Sequence, residues 1–237
     1  ENRAPRWLAA QAIYLRTEIA KYIPSNIMHF AGRHLFARKL GCSDAALVLS
    51  NVLDMGLLLF VAAVIVAVSL AGGFISLPGS VYEMISYKKL ALMAGAGILV
   101  FLAVFVIKFR SMEARYRTHL RARSAGLLAL VIVLFLPVFV FSSLILLMII
   151  GPMLGAPVSF ASAGFIFAGF TLSWTIGFIV PGAPGGLGIR ETVMMLLFTP
   201  VFGAEISLAA ALLLRVVSIA GDGLSFAASY LPVYRRH

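Results

Sequence analysis

The sequence predicts an all-α, polytopic membrane protein whose helices are interrupted by two re-entrant, broken-helix hairpins. Three observations predict it. Of 237 residues, 62% are hydrophobic and only 12% charged, whereas a water-facing surface normally requires about 25% charged residues. From Ser124 to Ile189 there is no Asp, Glu, Lys, Arg or His, and roughly 20 apolar residues suffice to span a bilayer. Twice the apolar pattern breaks into Pro, Gly and charge, from Pro24 to Gly41 and from Pro181 to Glu191.

The net charge of +10 is distributed as a topology signal. Seven of the 19 Lys and Arg lie in residues 1–39 and six more between Lys108 and Arg123. Such clusters mark cytoplasmic segments that face anionic headgroups, so a nucleic-acid partner is not expected. Cys42 is the single cysteine, which excludes an internal disulfide and a thiolate metal cluster. No metal site and no cofactor is expected.

Taken in order, residues 7–20 mix Leu8, Ile13, Leu15 and Ile19 with Gln11, Arg16, Thr17 and Glu18, the pattern of an amphipathic helix at an interface. After the break at Pro24-Ser25-Asn26, a helix-like run from Ile27 to Leu40 carries His29, Arg33, His34, Arg38 and Lys39 and ends at Gly41. It is too short and too polar for an ordinary span. A re-entrant segment accommodates it, because irregular backbone at depth is tolerated where protein or a water-filled cavity surrounds it.

Ala45–Leu70 is a full span with Asp54 inside it. Leu90–Ile107 is a second, leading into the basic loop 108–123. Ala125–Ile150 is a third, with a kink expected near Pro137, and Gly151–Pro157 reads as an uncharged turn. Phe160–Val180 is a fourth apolar helix. The run Pro181-Gly182-Ala183-Pro184-Gly185-Gly186-Leu187-Gly188 cannot remain helical. Thr192–Phe202 is apolar but short, and Ile206–Leu231 is a last span carrying Arg215 and Asp222.

The two broken regions repeat in order. Pro24, Arg33, Gly41 and Asp54 match Pro184, Arg190, Gly203 and Arg215 at offsets of 160, 157, 162 and 161 residues. Paired, Gly/Pro-interrupted segments are the best sequence pointer to a transporter's binding site. The reading is one transmembrane domain over residues 1–237, with repeat 1 at about 22–72 and repeat 2 at about 160–231, linked by helices 90–107 and 125–150. With loop 108–123 in the cytoplasm, the first hairpin enters from inside and the second from outside. The repeat is then inverted, and Arg235 and Arg236 return to the cytoplasm; if Phe160–Val180 instead crosses fully and 181–202 re-enters, the C-terminus lies outside.

A charge at mid-membrane costs roughly 2.5–3.5 kcal/mol on insertion scales, so it faces a cavity or a partner. The candidates are Arg33, Asp54, Arg190, Glu191, Arg215 and Asp222. Plainer roles exist for several of them. Arg33 snorkels if its helix is interfacial, and Glu191 suits the first-turn dipole of its helix. Asp54 is the structural partner of either Arg33 or Arg215, and Asp222, between Gly221 and Gly223, is solvated if it lies near a membrane face. Arg215 and Asp222 are seven residues apart, on one face but two turns distant. Pro24, Asn26, Pro184, Gly185, Gly186 and Gly188 are the expected backbone breaks. The glycine run lacks the Lys-Ser/Thr of a P-loop and follows no strand. His29 and His34 have the wrong spacing for a one-face pair, no Gly-x-Ser-x-Gly elbow occurs, and residues 124–189 offer no base, so an enzyme is not expected.

Lys21-Tyr22-Ile23-Pro24-Ser25-Asn26 with Ala31-Gly32-Arg33 and Leu40-Gly41 resembles the first signature of the lysylphosphatidylglycerol synthase transmembrane, flippase-like integral membrane protein family. Pro184-Gly185-Gly186-Leu187-Gly188-Ile189-Arg190-Glu191 resembles its second, and Arg215 also fits. Ser25 stands where the family commonly has glycine. The resemblance covers about Tyr14 to Leu231. It implies lipid translocation in a bacterial inner (cytoplasmic) membrane, with Arg33, Arg190, Glu191 and Arg215 lining a headgroup cavity. The expected partners are membrane lipids: an anionic or aminoacylated phospholipid, or a polyprenyl-phosphate lipid. A separate lipid-modifying enzyme and a homo-oligomer are also compatible with it. The alternatives are a gradient-coupled carrier of a small soluble anion, and a non-transporting membrane partner that anchors a lipid-biosynthetic enzyme through loop 108–123.

Overall fold

The computed structural model describes residues 7–23, 28–75, 124–155, 158–180 and 183–231, and all regular structure among them is helical. The helices are α1 (Trp7–Glu18), α2 (Met28–Lys39), α3 (Asp44–Ala71), α4 (Ser124–Leu154), α5 (Phe160–Ile179), α6 (Ile189–Phe202) and α7 (Ala204–Ala228), with 3-10 turns at Ile19–Tyr22 and Pro184–Gly186. Four of them are long and apolar enough to cross a membrane: α3, the Val133–Leu154 part of α4, α5 and α7. The chain is a helical membrane protein. Helix 90–107, the basic loop 108–123, and the break residues Pro24 and Asn26 lie outside the described residues.

Helix α5 stops at Ile179, one residue early, and α7 starts and ends early, at Ala204 and Ala228; α3 and α4 extend beyond their sequence boundaries at both ends, for a physical reason. An unpaired backbone amide is costly away from water, so helices continue to the last residue that can be satisfied. The turn expected at Gly151–Pro157 shows this most clearly. Helix α4 runs through Pro137, Gly151 and Pro152 to Leu154, and Gly155 then takes a positive φ of 62°, the usual left-handed helix stop. Helix α6 likewise begins at Ile189 rather than Thr192, so Arg190 and Glu191 lie within its first turn.

The chain divides into two compact units, residues 55–172 and residues 1–54 with 173–237. In the first unit, Val61, Ala62 and Ile65 of α3, Phe139, Leu146 and Ile150 of α4, and Ile166 and Ala168 of α5 are buried. The ring of Phe74 comes so near Gly164 that an added Cβ would sit 2.4 Å from it. Along α4, Val133, Leu134, Phe141 and Met148 are largely exposed, an apolar face suited to acyl chains rather than water.

In the second unit α1 packs against α2 and α7, α6 packs against α7, and the turn Ile19–Tyr22 meets the turn Pro184–Gly186. Small residues allow the close approaches, as is usual between helices in lipid. Ala9, Ala12, Ala210 and Ala211 are buried, as are Met194, Phe198 and Leu214. Gly32 faces Thr17, whose Cγ2 would lie 3.0 Å from an added Cβ. Arg16 fastens the end of α1 to the end of α7, donating to the Ser229 carbonyl at 3.0 Å with its guanidinium 4.9 Å from the Tyr230 ring centre.

Both short helices lead into a span through a glycine. Helix α2 has 12 residues and is followed by Gly41 at φ 85°; α6 has 14 and is followed by Gly203 at φ 83°. At 1.5 Å per residue neither helix covers the roughly 30 Å apolar core. Gly203, with ψ 160°, sits in a backbone region essentially closed to side-chain-bearing residues. Its N–H donates to the Thr199 carbonyl at 3.0 Å, and its own carbonyl accepts the Ser207 hydroxyl at 2.6 Å. One residue thereby ends α6 and starts α7 without orphaning its polar groups.

Candidate functional site

The polar residues of the unit formed by 1–54 and 173–237 assemble into one alternating series of acids and bases. It begins in α3 at Asp54. Residue 54 is ten beyond Asp44, the start of α3, hence about 15 Å along the helix. Its Oδ2 accepts Arg33 Nη1 at 3.1 Å, while Arg33 Nη2 donates to Glu18 Oε2 at 2.5 Å. The Arg33 guanidinium lies 3.6 Å from the Tyr14 ring centre, a stacking that suits the weakly hydrated, planar cation. Arg33 is only 8% exposed. It bridges two carboxylates.

From Glu18 the series continues through Lys21, whose Nζ lies 3.2 Å from Glu18 Oε1 and 2.8 Å from Asp222 Oδ2. The Tyr22 hydroxyl donates to the same Asp222 oxygen at 2.5 Å. The Tyr22 ring then lies 5.5 Å from the guanidinium of Arg215. Asp222 is therefore a paired, largely enclosed carboxylate rather than a solvated helix-end residue. As the seven-residue spacing implies, it and Arg215 take different partners.

Arg215 is set by the second break. Its Nη1 donates to the Gly185 carbonyl at 2.9 Å and lies 3.5 Å from Glu191 Oε1, and its Nη2 donates to the Pro184 carbonyl at 3.4 Å. The Gly185 carbonyl is available because the Pro184–Gly186 turn does not continue as a helix, while the Pro184 carbonyl also accepts the Leu187 amide at 3.0 Å. The turn also approaches α5 closely: at Gly186, with φ 72°, an added Cβ would lie 3.2 Å from the Gly177 carbonyl oxygen. Glu191 has a second commitment. Its Oε2 accepts the Gly188 amide at 2.7 Å, and Thr192 Oγ1 donates back to the Gly188 carbonyl at 2.6 Å. This is half of a capping box with a carboxylate at the positive end of the helix. Arg190, on the same first turn, has its guanidinium 6.0 Å from the Trp174 ring centre, and its Cβ faces Gly177.

The electrostatics follow from enclosure and pairing. Burial works to raise the Glu18 carboxyl, but Lys21 and Arg33 beside it outweigh burial and hold it below its ordinary value. His29, buried on α2 with its ring 3.9 Å from that of Phe30, is pushed down to about 4. Burial is the main cause, opposed by Glu18 and reinforced by Arg33 and Lys21. It is neutral at physiological pH. Burial and the hydrogen bond to Asp222 raise the Tyr22 phenol well above its usual value, so Tyr22 keeps its proton and donates it to Asp222.

The structure thus joins Arg33 with Asp54, and Arg215 with Glu191, and reaches Asp222 through Lys21. Of the expected backbone positions, Pro184 and Gly185 supply carbonyls, Gly186 supplies the close approach and Gly188 the cap. The sequence reading missed Glu18, Lys21 and Tyr22, which connect the halves, and Tyr14 and Trp174, which carry the arginine faces. Glu18 and Lys21 had a usable signal: they are opposite charges three residues apart, shortly before the break at Pro24. Compared with models of known families, with curated proteins and with solved structures, the chain matches none, so the reading of this site rests on its own geometry.

Proposed function

We propose that this chain is a flippase-like transporter that passes a phosphate-bearing lipid headgroup across a bacterial cytoplasmic membrane, and that it belongs to the family its motifs resemble. The observation that carries the reading is the alternating series Asp54–Arg33–Glu18–Lys21–Asp222, continued through Tyr22 to Arg215 and Glu191, set among apolar helices. Buried ion pairs contribute little net stability and are often replaceable by apolar residues. A chain of them in a membrane protein therefore points to function by default.

A headgroup crossing a bilayer needs polar partners at each depth while its tails remain in lipid. Arg33 and Arg215 present planar forks that match phosphate bidentately, and each is now held by groups that a phosphate can replace. Two short helices, each joined through a positive-φ glycine to a span, fit re-entrant hairpins in an inverted repeat. Such hairpins bring broken backbone to the midplane.

The test is headgroup translocation in proteoliposomes carrying fluorescent phosphatidylglycerol, an aminoacylated phosphatidylglycerol or a polyprenyl phosphate. Wild type is compared with Arg190→Ala and Arg215→Gln. The expected result is movement of one lipid class, lost in both variants. If folded wild type moves none of them, the reading fails; uptake of a soluble anion instead identifies a carrier.

A further inference from the structure

We infer that Asp54 is a protonation site that couples headgroup movement to proton symport: an anionic headgroup on Arg33 and a proton on Asp54 cross together. This rests on the transport reading above. It comes from what each carboxylate retains when its arginine is taken by a phosphate. Glu18 keeps Lys21 at 3.2 Å. Glu191 keeps the Gly188 amide at 2.7 Å and the helix N-terminus behind it. Asp222 keeps Lys21 and the Tyr22 hydroxyl. Asp54 is different: among the described residues its ion-pair partner is Arg33, and it has no other.

The surroundings of Asp54 reinforce this. Of the groups facing it from the packed elements, α1 contributes Tyr14 and the acid Glu18, and α2 contributes Arg33, with His29 neutral one turn away. Once Arg33 turns to a phosphate, Asp54 faces another carboxylate and, among the described residues, no uncommitted cation. It lies about 15 Å into a span, where an unpaired carboxylate is expensive and takes up a proton instead. The balance is simple. The Arg33–Asp54 contact is exchanged for an Arg33–phosphate contact, and one proton binds Asp54 Oδ2. A monoanionic phosphate and one proton enter together, so the net charge of the series is unchanged. On release the proton leaves, and Asp54 recaptures Arg33.

The test uses the full chain in vesicles containing fluorescent phosphatidylglycerol and a trapped pH dye. A gradient of about one pH unit is expected to shift the lipid's equilibrium distribution about tenfold toward the alkaline side, one proton moving per lipid. Asp54→Asn is expected to abolish both the gradient effect and lipid-dependent proton flux. Glu191→Gln changes the rate but keeps the dependence on the gradient. Should Asp54→Asn misfold, infrared difference spectra of wild type decide: lipid binding brings up the carbonyl stretch of a protonated carboxylic acid. Lipid movement that ignores the gradient, with no proton flux and no such band, overturns the coupling and leaves the transport reading intact. If no lipid moves at all, both fall together.

Discussion

The two broken regions carry the same parts in opposite places. In the first, the arginine is on the short helix (Arg33, α2) and the acid is in the span (Asp54, α3). In the second, the acid is on the short helix (Glu191, α6) and the arginine is in the span (Arg215, α7). The environments differ accordingly. Arg33 is held by two carboxylates and an aromatic face. Arg215 is held by one more distant carboxylate and two backbone carbonyls. The carbonyls are fixed dipoles with no proton to gain, and Glu191 has a helix cap of its own. The difference teaches that the first region stores its charge balance in groups that depend on one another, whereas the second is anchored to the backbone.

The sharpest way to break this comparison is to remove each arginine. Arg33→Leu strands Asp54 and crowds Glu18 with one cation fewer, and losing one member of a buried pair costs about 3–5 kcal/mol. Arg215→Leu leaves Glu191 capped and frees carbonyls that water or a lipid can satisfy, so its cost is about 1–3 kcal/mol. Thermal unfolding of the detergent-purified variants measures both. Adding Asp54→Leu to Arg33→Leu is expected to restore much of the loss, because it removes the stranded charge. Equal losses for the two arginines, or no rescue, would remove the distinction.

A somewhat smaller effect tests the glycine junctions that lead into the spans. Gly203→Ala forces a side chain into φ 83° and ψ 160°, at a cost of about 1–3 kcal/mol. The loss is expected as lowered thermal stability and as faster proteolysis between Phe202 and Ala204. An unchanged variant would mean that the α6–α7 junction relaxes freely.

The bridge between the regions comes next. Tyr22→Phe deletes the hydroxyl that donates to Asp222 while Lys21 still pairs with that carboxylate. A loss of about 1.5–3 kcal/mol is the ordinary range for a hydrogen bond to a charged group, and the retained Lys21 places the expectation at the low end. A double-mutant cycle of Tyr22→Phe with Lys21→Met reads the coupling. A coupling energy near zero would show that the two groups hold Asp222 independently.

The last test is one of pH, and it concerns the first region alone. His29 is held at about 4 in the folded protein against an ordinary 6.5, so the unfolded chain binds a proton that the folded one refuses. Its contribution to stability is complete above about 6.5 and is lost as the pH falls toward 4. The lowered Glu18 carboxyl acts in the same direction at still lower pH. His29→Gln is expected to flatten the fall in melting temperature between pH 6.5 and 4. A wild-type protein whose stability is level over that interval would contradict the burial of a neutral His29.

Much of the architecture was legible before the structure. The spans α3, α4, α5 and α7 follow from hydropathy and length, because transfer into lipid depends on what each stretch contains and hardly on what lies beside it. The breaks were legible for the same local reason: Pro184 to Gly188 cannot form a helix anywhere. Arg215 and Asp54 at mid-span were visible as charges too costly to leave unpartnered. Their partners were not. Asp54 was open to either Arg33 or Arg215, and Asp222 gave no hint of Lys21 or of Tyr22, which is 200 residues away in the chain. Nor was it legible that Glu18, at the end of α1, completes the hold on Arg33. Membrane insertion is governed by local composition, so a linear reading recovers it. Pairing in a low dielectric is governed by distances of about 3 Å between groups on different helices, and folding alone brings those groups together.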